Sequence, residues 1–497
     1  MTENIQTGAV PASGDATFAR RVRSAMAWRW GSQALAQIIA WTSTIAVVRL
    51  LEPSDYGLYA MCQVVLTALA FLNGQSFATS LVQTNHIDER RIGQVFGLLL
   101  LLNGSLAAIQ FLSAPLAATY FGEPLVADML RIQAIIFLTI PFAAVPQELL
   151  ARRIEFRNQG LVNLASATIG GVIAFTLAWL DYGVWALVYA PVAMFATRAI
   201  GLTLAARIFI RPVFDFRGAG DLISFGGTLT LCQFMWIVQS QSDVVIAGRS
   251  FDTHDLGLYS NALFLTLIIT GKFLPPVNEV AYAAYAELHK QGKALGPYFL
   301  RTLRTVFLVT APLYFGLALT AEPAVLLLFG EKWAEMAPVV AGLSIAMPFF
   351  AAQIVCSPAT NAMGLPRVYL TTNTFGAVLF PLLFALTVDR GIDGLVHAWW
   401  IGTPALLFAT LFFVLPRVNL HWRSLLTEAL PILLASAVMS LSVWLVRDSL
   451  AALPAVLQLA ALVPLGGLAY LATLAVVAPR YLTETWSMVR QRDIAAN

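Results

Sequence analysis

Long apolar runs separated by short polar segments dominate the chain from residue 24 onward. A run of about 18 or more apolar residues has the length of a helix that crosses a bilayer. Reading the runs between charges, Pro and Gly predicts fourteen spans, numbered 1 to 14. In chain order they cover 25–48, 57–82, 92–113, 125–146, 160–180, 183–206, 221–247, 256–276, 298–320, 338–359, 367–388, 392–415, 425–446 and 455–478.

The composition supports a chain that lies almost wholly in the membrane. Hydrophobic residues make up 59% of the 497 residues and charged residues only 11%, whereas soluble domains carry about 25% charged residues. No long polar block separates the spans, so no room remains for a soluble catalytic or nucleotide-binding domain. The fold class predicted is an all-α polytopic membrane protein, and the net charge of +3 gives no indication of nucleic-acid binding.

Basic residues orient the spans, because short cytoplasmic loops carry an excess of Lys and Arg. With fourteen spans, 24 of the 30 Lys and Arg residues fall on the side that holds both termini. This asymmetry predicts that both termini are cytoplasmic. Pro275 and Pro276 predict the end of span 8, followed by an amphipathic segment at 281–291 along the cytoplasmic face.

A short motif occurs twice with a constant offset of 200 residues. Arg49, Asp55, Gly57, Leu58 and Tyr59 recur as Arg249, Asp255, Gly257, Leu258 and Tyr259, after spans 1 and 7. The duplication predicts two six-span lobes related by an axis along the membrane normal. The predicted parts are a disordered cytoplasmic tail at 1–19, lobes at 20–210 and 211–420, spans 13 and 14 at 421–480, and a cytoplasmic tail at 481–497.

Polar residues follow one face of the first span in each lobe. Arg29, Gln33 and Gln37 recur at helical spacing in span 1, and Gln233, Ser240 and Asp243 do so in span 7. Two interpretations stay open: these faces line a cavity, or they hydrogen-bond to neighbouring helices.

Charged side chains within the spans are candidates for function, since they are costly in lipid. Arg198 and Lys272 are the candidates for an anion site, and Asp243 and Glu279 are the candidates for ion coupling. Arg49 and Arg249 are assigned to a periplasmic gate or turn. His397 in span 12 is expected to be buried and hydrogen-bonded.

No known catalytic pattern is present in the sequence, so no catalytic residue is predicted. Glycine loops for nucleotides, paired histidines with a glutamate and a Gly-x-Ser-x-Gly turn are all missing from the sequence. Cys62, Cys232 and Cys356 lie in separate spans without a second ligand nearby, which predicts packing roles and no metal or cofactor.

Three segments resemble one known family of exporters. They are Leu50-Leu51-Glu52-Pro53-Ser54-Asp55-Tyr56-Gly57-Leu58-Tyr59-Ala60, Ser242-Asp243-Val244-Val245-Ile246-Ala247-Gly248-Arg249 with Leu256-Gly257-Leu258-Tyr259-Ser260, and Arg152-Arg153-Ile154-Glu155-Phe156-Arg157. They resemble the polysaccharide-type, Wzx-like flippases of the multidrug/oligosaccharidyl-lipid/polysaccharide (MOP) exporter superfamily, over roughly residues 20–420.

This resemblance implies a flippase for undecaprenyl-diphosphate-linked oligosaccharide repeat units, destined for capsule, O-antigen or exopolysaccharide. It implies a bacterial inner-membrane location, membrane lipids and polysaccharide polymerase and chain-length or export proteins as partners, and alternating access. A monomer is expected because both lobes lie in one chain. In this hypothesis Arg29, Arg198 and Lys272 screen the diphosphate. Two alternatives stay open: a cation-coupled multidrug or metabolite antiporter on the same fold, and a flippase for the peptidoglycan lipid precursor.

Overall fold

The structure is a computed structural model that describes residues 15–74, 77–78, 88–153, 155–207, 211–215 and 226–484. The side chains of 15–27, 226–233 and 366 lie outside this description. The described residues form helices joined by turns and contain no strand, which confirms the all-α fold class. Two of the helices are 3-10 helices, at Glu331–Met336 and Val388–Arg390.

Seventeen α-helices are found in the described residues, and most coincide with a predicted span. They are α1 (Asp15–Leu50), α2 (Pro53–Ala70), α3 (Glu89–Phe121), α4 (Leu125–Gln133), α5 (Ile135–Arg152), α6 (Phe156–Trp179), α7 (Trp185–Ala206), α8 (Gly226–Ser250), α9 (Thr253–Lys290), α10 (Gly296–Leu319), α11 (Ala321–Leu328), α12 (Ala337–Ile354), α13 (Ser357–Ala362), α14 (Pro366–Thr387), α15 (Gly391–Val414), α16 (Trp422–Leu450) and α17 (Ala455–Val477).

Eleven stretches of the described chain are long and apolar enough to cross a membrane. One of them, Arg367–Val414, contains both α14 and α15. The chain is therefore a multi-pass membrane protein. The number of fourteen spans stays a prediction.

The expected break at Pro275 and Pro276 is wrong, because both prolines lie inside α9, which continues to Lys290. Each proline removes one backbone hydrogen bond, yet ending the helix there would leave several backbone groups without partners. In apolar surroundings each unpaired group costs several kcal/mol, so a helix with two missing bonds is the better solution. The start of α9 is fixed by Asp252, whose carboxylate accepts a hydrogen bond from the backbone N–H of Asp255 at 2.8 Å.

The contacts divide the chain into two compact units. The first comprises the described residues of 1–51, 65–119 and 123–226, and the second those of 52–64, 120–122 and 227–484. The predicted lobe boundaries at 210 and 420 stay predictions. In the first unit α6 packs along α1 and α7, and α5 packs along α7.

In the second unit, α10 and α12 pack against each other, and each of them contacts further helices. α9, α10 and α15 pack against α12, and α14 packs against α15. Spans 13 and 14, which correspond to α16 and α17, pack on each other and on α10. The hydroxyl of Tyr470 on α17 donates to the carbonyl of Leu308 on α10 at 2.8 Å, which satisfies a polar group at this contact.

Candidate functional site

A polar cluster lies among the helices of the first unit, at the end of α5. The Arg198 guanidinium of α7 donates from Nη2 to the Gln147 side-chain oxygen at 2.6 Å. The Gln159 amide of α6 donates to the Gln147 backbone carbonyl, also at 2.6 Å. The neighbouring residue Glu148 interacts electrostatically with Arg29 of α1. We call Gln147, Glu148, Gln159 and Arg198 the Arg198 cluster.

Within the described part of the first unit, the Arg198 guanidinium has no anionic partner. Arg198 is half-buried, and its Nε atom is buried with no hydrogen-bond partner. Its hydrogen-bond acceptor, Gln147, is neutral, and no carboxylate of the described residues lies within 4 Å of the guanidinium. A guanidinium held in this way among apolar helices attracts phosphate or carboxylate strongly.

The polar face predicted for span 1 lies on α1 of this unit. Arg29 and Gln33 are exposed and Gln37 is half-buried. The structure thus brings Arg29 and Arg198 to adjacent residues of α5, a link that sequence spacing did not show. The residues that make this link, Gln147 and Glu148, were missed as site residues because a Gln or Glu at a span end looks like an ordinary interfacial residue.

The second unit contains a buried hydrogen-bonded chain centred on Asp243, which is 1% exposed. The Tyr259 hydroxyl donates to Asp243 Oδ2 at 2.8 Å, and the Trp399 Nε1–H donates to the Tyr259 oxygen at 2.9 Å. The backbone N–H of Val244 donates to Asp243 Oδ1 at 2.8 Å. All of these partners are neutral, so the carboxylate is stabilised by donors and not by a paired cation.

Two further buried polar groups lie in the same unit. Gln239, one helical turn before Asp243, has an unpartnered side-chain oxygen, and Asn373 of α14 has an unpartnered amide nitrogen. They are only 7% and 3% exposed, respectively. Gly376 makes room for Gln239, since a Cβ at Gly376 would lie 2.1 Å from that side-chain oxygen. Both atoms are therefore buried without a hydrogen-bond partner among the described residues, which is rare for polar groups in folded proteins.

The remaining predicted residues of the second unit lie at its surface or outside the description. Lys272 and Glu279 of α9 are exposed, and Ser240 is half-buried with its hydroxyl on the Ile237 carbonyl at 3.4 Å. The side chain of Gln233 lies outside the described residues. The expectation that His397 is buried is wrong, because His397 is exposed and contacts the Trp400 ring edge-on. The buried position on this part of α15 is taken by Trp399, which is apolar apart from its N–H.

The two copies of the repeated motif meet in the second unit. A Cβ at Gly57 would lie 1.9 Å from the Thr253 carbonyl oxygen, and a Cβ at Gly257 would lie 1.8 Å from that of Pro53. Pro53 and Thr253 are themselves separated by the repeat offset of 200, so the two contacts are equivalent. Arg249 lies over the Tyr120 ring at 5.2 Å, and Arg49 is exposed. Close backbone contact explains why this motif needs glycine.

The fold is that of known transporters and flippases. It is similar to the structure titled "Lipid II flippase MurJ, inward closed conformation", with a TM-score of 0.69 and 13% identity, covering 91% of this chain and 98% of that one. It is also similar to an inward-facing multidrug resistance MATE family transporter of the MOP superfamily, with a TM-score of 0.59 and 15% identity, covering 78% and 94%. This likeness confirms the MOP-type fold.

The chain belongs to the family described as "Polysaccharide biosynthesis protein", which matches residues 46–338. It is 28% identical over 299 residues to the succinoglycan biosynthesis transport protein ExoT of Rhizobium meliloti (strain 1021), which is 60% of each chain. It is 25% identical over 272 residues to the teichuronic acid biosynthesis protein TuaB of Bacillus subtilis (strain 168), covering 54% of this chain and 56% of that one. The chain thus matches less than two thirds of the length of these relatives.

Proposed function

We propose that the protein is a flippase that moves undecaprenyl-diphosphate-linked oligosaccharide repeat units from the cytoplasmic to the periplasmic leaflet. The membrane is the bacterial inner membrane, with both termini cytoplasmic. The product feeds polymerisation into capsule, O-antigen or exopolysaccharide, with a polymerase and chain-length or export proteins as partners. The chain works as a monomer by alternating access, without a catalytic site of its own.

Family membership supports a role in polysaccharide assembly, and the fold supports transport. The relative ExoT is named as a transport protein of succinoglycan biosynthesis, and MurJ is named as a flippase of lipid II. A substrate that combines sugar with a lipid carrier fits both names.

The Arg198 cluster is the observation that carries the proposal. A diphosphate has to cross apolar surroundings, and Arg198 offers a guanidinium among membrane-spanning helices without a carboxylate to neutralise it. Outward movement of the anion is also favoured by an inside-negative potential, by about 2.3 kcal/mol per charge at 100 mV. Arg29 and Lys272, which are exposed, are proposed to help screen the diphosphate.

The test is mass spectrometry of polyprenyl-linked intermediates in a deletion strain, together with the amount of secreted polymer. We expect lipid-linked repeat units to accumulate and polymer to disappear in the deletion strain. The wild-type gene should return the lipid-linked pool and the amount of polymer to normal. Arg198→Ala should restore at least tenfold less polymer than wild type, and Lys272→Ala should also be impaired. Arg131→Ala is the control, because Arg131 is partly exposed and paired with Asp128 at 3.1 Å.

Two other functions predict different results in the same strain. Normal polymer and normal lipid-linked pools would contradict the proposal and favour a cation-coupled antiporter of small molecules. Lethality of the deletion, with accumulation of the peptidoglycan precursor, would favour a flippase for that lipid.

We propose Asp243 as the site of ion coupling, because a buried carboxylate without a cation is a group that binds a proton or cation reversibly. Flipping by purified protein in liposomes should respond to a pH or sodium gradient. Asp243→Asn should remove this response, while flipping without a gradient continues. Glu279→Gln is the comparison, since Glu279 is exposed on α9. An unchanged gradient response in Asp243→Asn would exclude this role.

A further inference from the structure

An open apolar groove lies between α1 and α6 of the first unit. It has a volume of about 280 Å³ and is lined by Trp28, Gly31, Ser32, Leu35, Gly160, Leu161 and Leu164. Trp28 and Leu161 are exposed, so the groove is open to the surroundings of the helices. In a membrane those surroundings are lipid chains.

Two glycines shape the groove in different ways. Gly160 lets α6 come close to α1, because a Cβ there would lie 2.5 Å from the Ser32 hydroxyl. Gly31 leaves empty space, because a Cβ there would meet no atom within 4 Å. The Ser32 hydroxyl donates to the Trp28 carbonyl at 2.6 Å, so the one hydroxyl of the lining is satisfied within its own helix. Leu35, Leu161, Leu164 and the Trp28 ring make the rest of the wall mostly apolar.

Two arginines lie at one end of this groove, and each lies over an aromatic ring of the other helix. Arg29 of α1 lies over the Phe156 ring of α6 at 5.1 Å, and Arg157 of α6 lies over the Trp28 ring of α1 at 5.4 Å. An aromatic face binds the flat side of a guanidinium and leaves its N–H edge available for an anion. Two carboxyls are described near this end: Glu148, which interacts with Arg29, and Glu155, which accepts a hydrogen bond from Asn158 at 2.9 Å. Residues 148–157 together with Arg29 hold four arginines and two glutamates, so this end keeps a net positive charge.

We propose that this groove binds the polyprenyl diphosphate carrier of the substrate before translocation. The prenyl chain nearest the diphosphate lies between α1 and α6, and the two phosphates contact Arg29 and Arg157. This inference rests on the proposed function for the identity of the carrier. An apolar channel that ends at two guanidiniums matches a single lipid chain that ends at two phosphates.

Binding of undecaprenyl diphosphate to the purified full-length protein in nanodiscs tests the groove directly. Gly31→Leu adds a side chain to the groove lining at a position where the new Cβ meets no atom within 4 Å, and we expect it to weaken binding at least tenfold. Gly104→Leu is the matched control, because Gly104 of α3 also has no atom within 4 Å of its Cβ position, and it should bind within twofold of wild type.

The charged end is tested with the Arg29→Gln and Arg157→Gln double variant. It should weaken binding of undecaprenyl diphosphate at least tenfold while binding of undecaprenol, which lacks phosphate, changes less than twofold. If Gly31→Leu does not fold, Leu164→Trp fills the groove from α6 and carries the same expectation.

Three results would overturn the proposal. Gly31→Leu or Leu164→Trp binds like wild type, phosphatidylglycerol competes for the groove as well as undecaprenyl diphosphate does, or the double variant weakens undecaprenol binding as much as undecaprenyl diphosphate binding. The second result would make the groove a general phospholipid site. Because binding is measured without transport, these outcomes are separate from those of the deletion strain. Normal polymer in the deletion strain, together with groove-dependent carrier binding, would reject the proposed function and keep the site.

Discussion

At the scale of single residues, glycines determine how closely helices approach each other in this protein. Gly57 and Gly257 each face a backbone carbonyl of the other motif copy, whereas Gly271 of α9 faces open space. The same residue type therefore has opposite consequences at different positions. What matters is the atom that a methyl group would meet.

We predict that Gly57→Ala and Gly257→Ala each destabilise the protein by about 1–3 kcal/mol, because the added Cβ forces the start of α2 and α9 apart. Gly271→Ala, on the same helix as Gly257, should be neutral or stabilising, since alanine favours a helix over glycine by up to about 1 kcal/mol. Thermal unfolding in detergent measures all three. A melting temperature of Gly57→Ala equal to that of Gly271→Ala would contradict the assigned contact.

The buried chain at Asp243 is a second residue-scale feature. Tyr259 accepts from Trp399 and donates to Asp243, so its hydroxyl serves two buried groups at once. Tyr259→Phe should therefore cost about 1–3 kcal/mol for each partner left unpaired. The control is Tyr282→Phe on the same helix, because Tyr282 is half exposed, at 49%. Equal melting temperatures of the two variants would show that the chain contributes nothing to stability.

At the scale of elements, α16 and α17 are attached to α10 by a charged network and by apolar packing. Arg304 of α10 pairs with Glu428 of α16 at 3.0 Å and also with Glu484, and Arg480 pairs with Glu428 at 3.2 Å. Tyr481 lies between the two arginines, with ring distances of 4.6 and 5.1 Å. The network fixes the residues after α17 to the bundle.

We predict that Glu428→Gln loosens α16 and α17, because both Arg304 and Arg480 lose a charged partner. The pair with Arg304 is mostly buried, with side-chain exposures of 12% and 16%. The cost is therefore about 1–3 kcal/mol, between that of surface and fully buried ion pairs.

Hydrogen exchange across 422–478 measures this loosening and should become about tenfold faster. Asp448→Asn, on the exposed end of the same helix, should leave exchange unchanged. Failure of Glu428→Gln to change exchange would show that apolar packing alone holds the two helices.

At the scale of the whole molecule, the distribution of basic residues predicts the topology. We expect cysteines placed at Glu123 and Glu335 to react with a membrane-impermeant maleimide in intact spheroplasts, and cysteines at Arg153 and Lys293 to react only after lysis. Cys62 and Cys356 are fully buried, so these two should contribute little background, and labelling of the wild-type protein measures the background from Cys232. Labelling of Lys293→Cys before lysis would contradict the orientation and the number of spans.

Much of this protein could be predicted from the sequence, because lipid permits few backbone structures. Apolar runs of sufficient length in a chain without soluble domains have to form helices, and the positions of most helices follow from those runs. The repeated motif also predicted a relation between two regions 200 residues apart, and the matched contacts of Gly57 and Gly257 agree with it. The resemblance identified the superfamily from short segments.

Only the tertiary structure decided which polar residues meet. Sequence spacing placed Arg29 and Arg198 on separate helices, and packing brought both to α5 at Gln147 and Glu148. It also exposed His397 and joined Asp243 to Tyr259 and Trp399. The physical reason is that membrane insertion depends on the summed hydropathy of a segment, which the sequence contains, whereas helix packing depends on the rotation of each helix and on close contacts between residues distant in sequence.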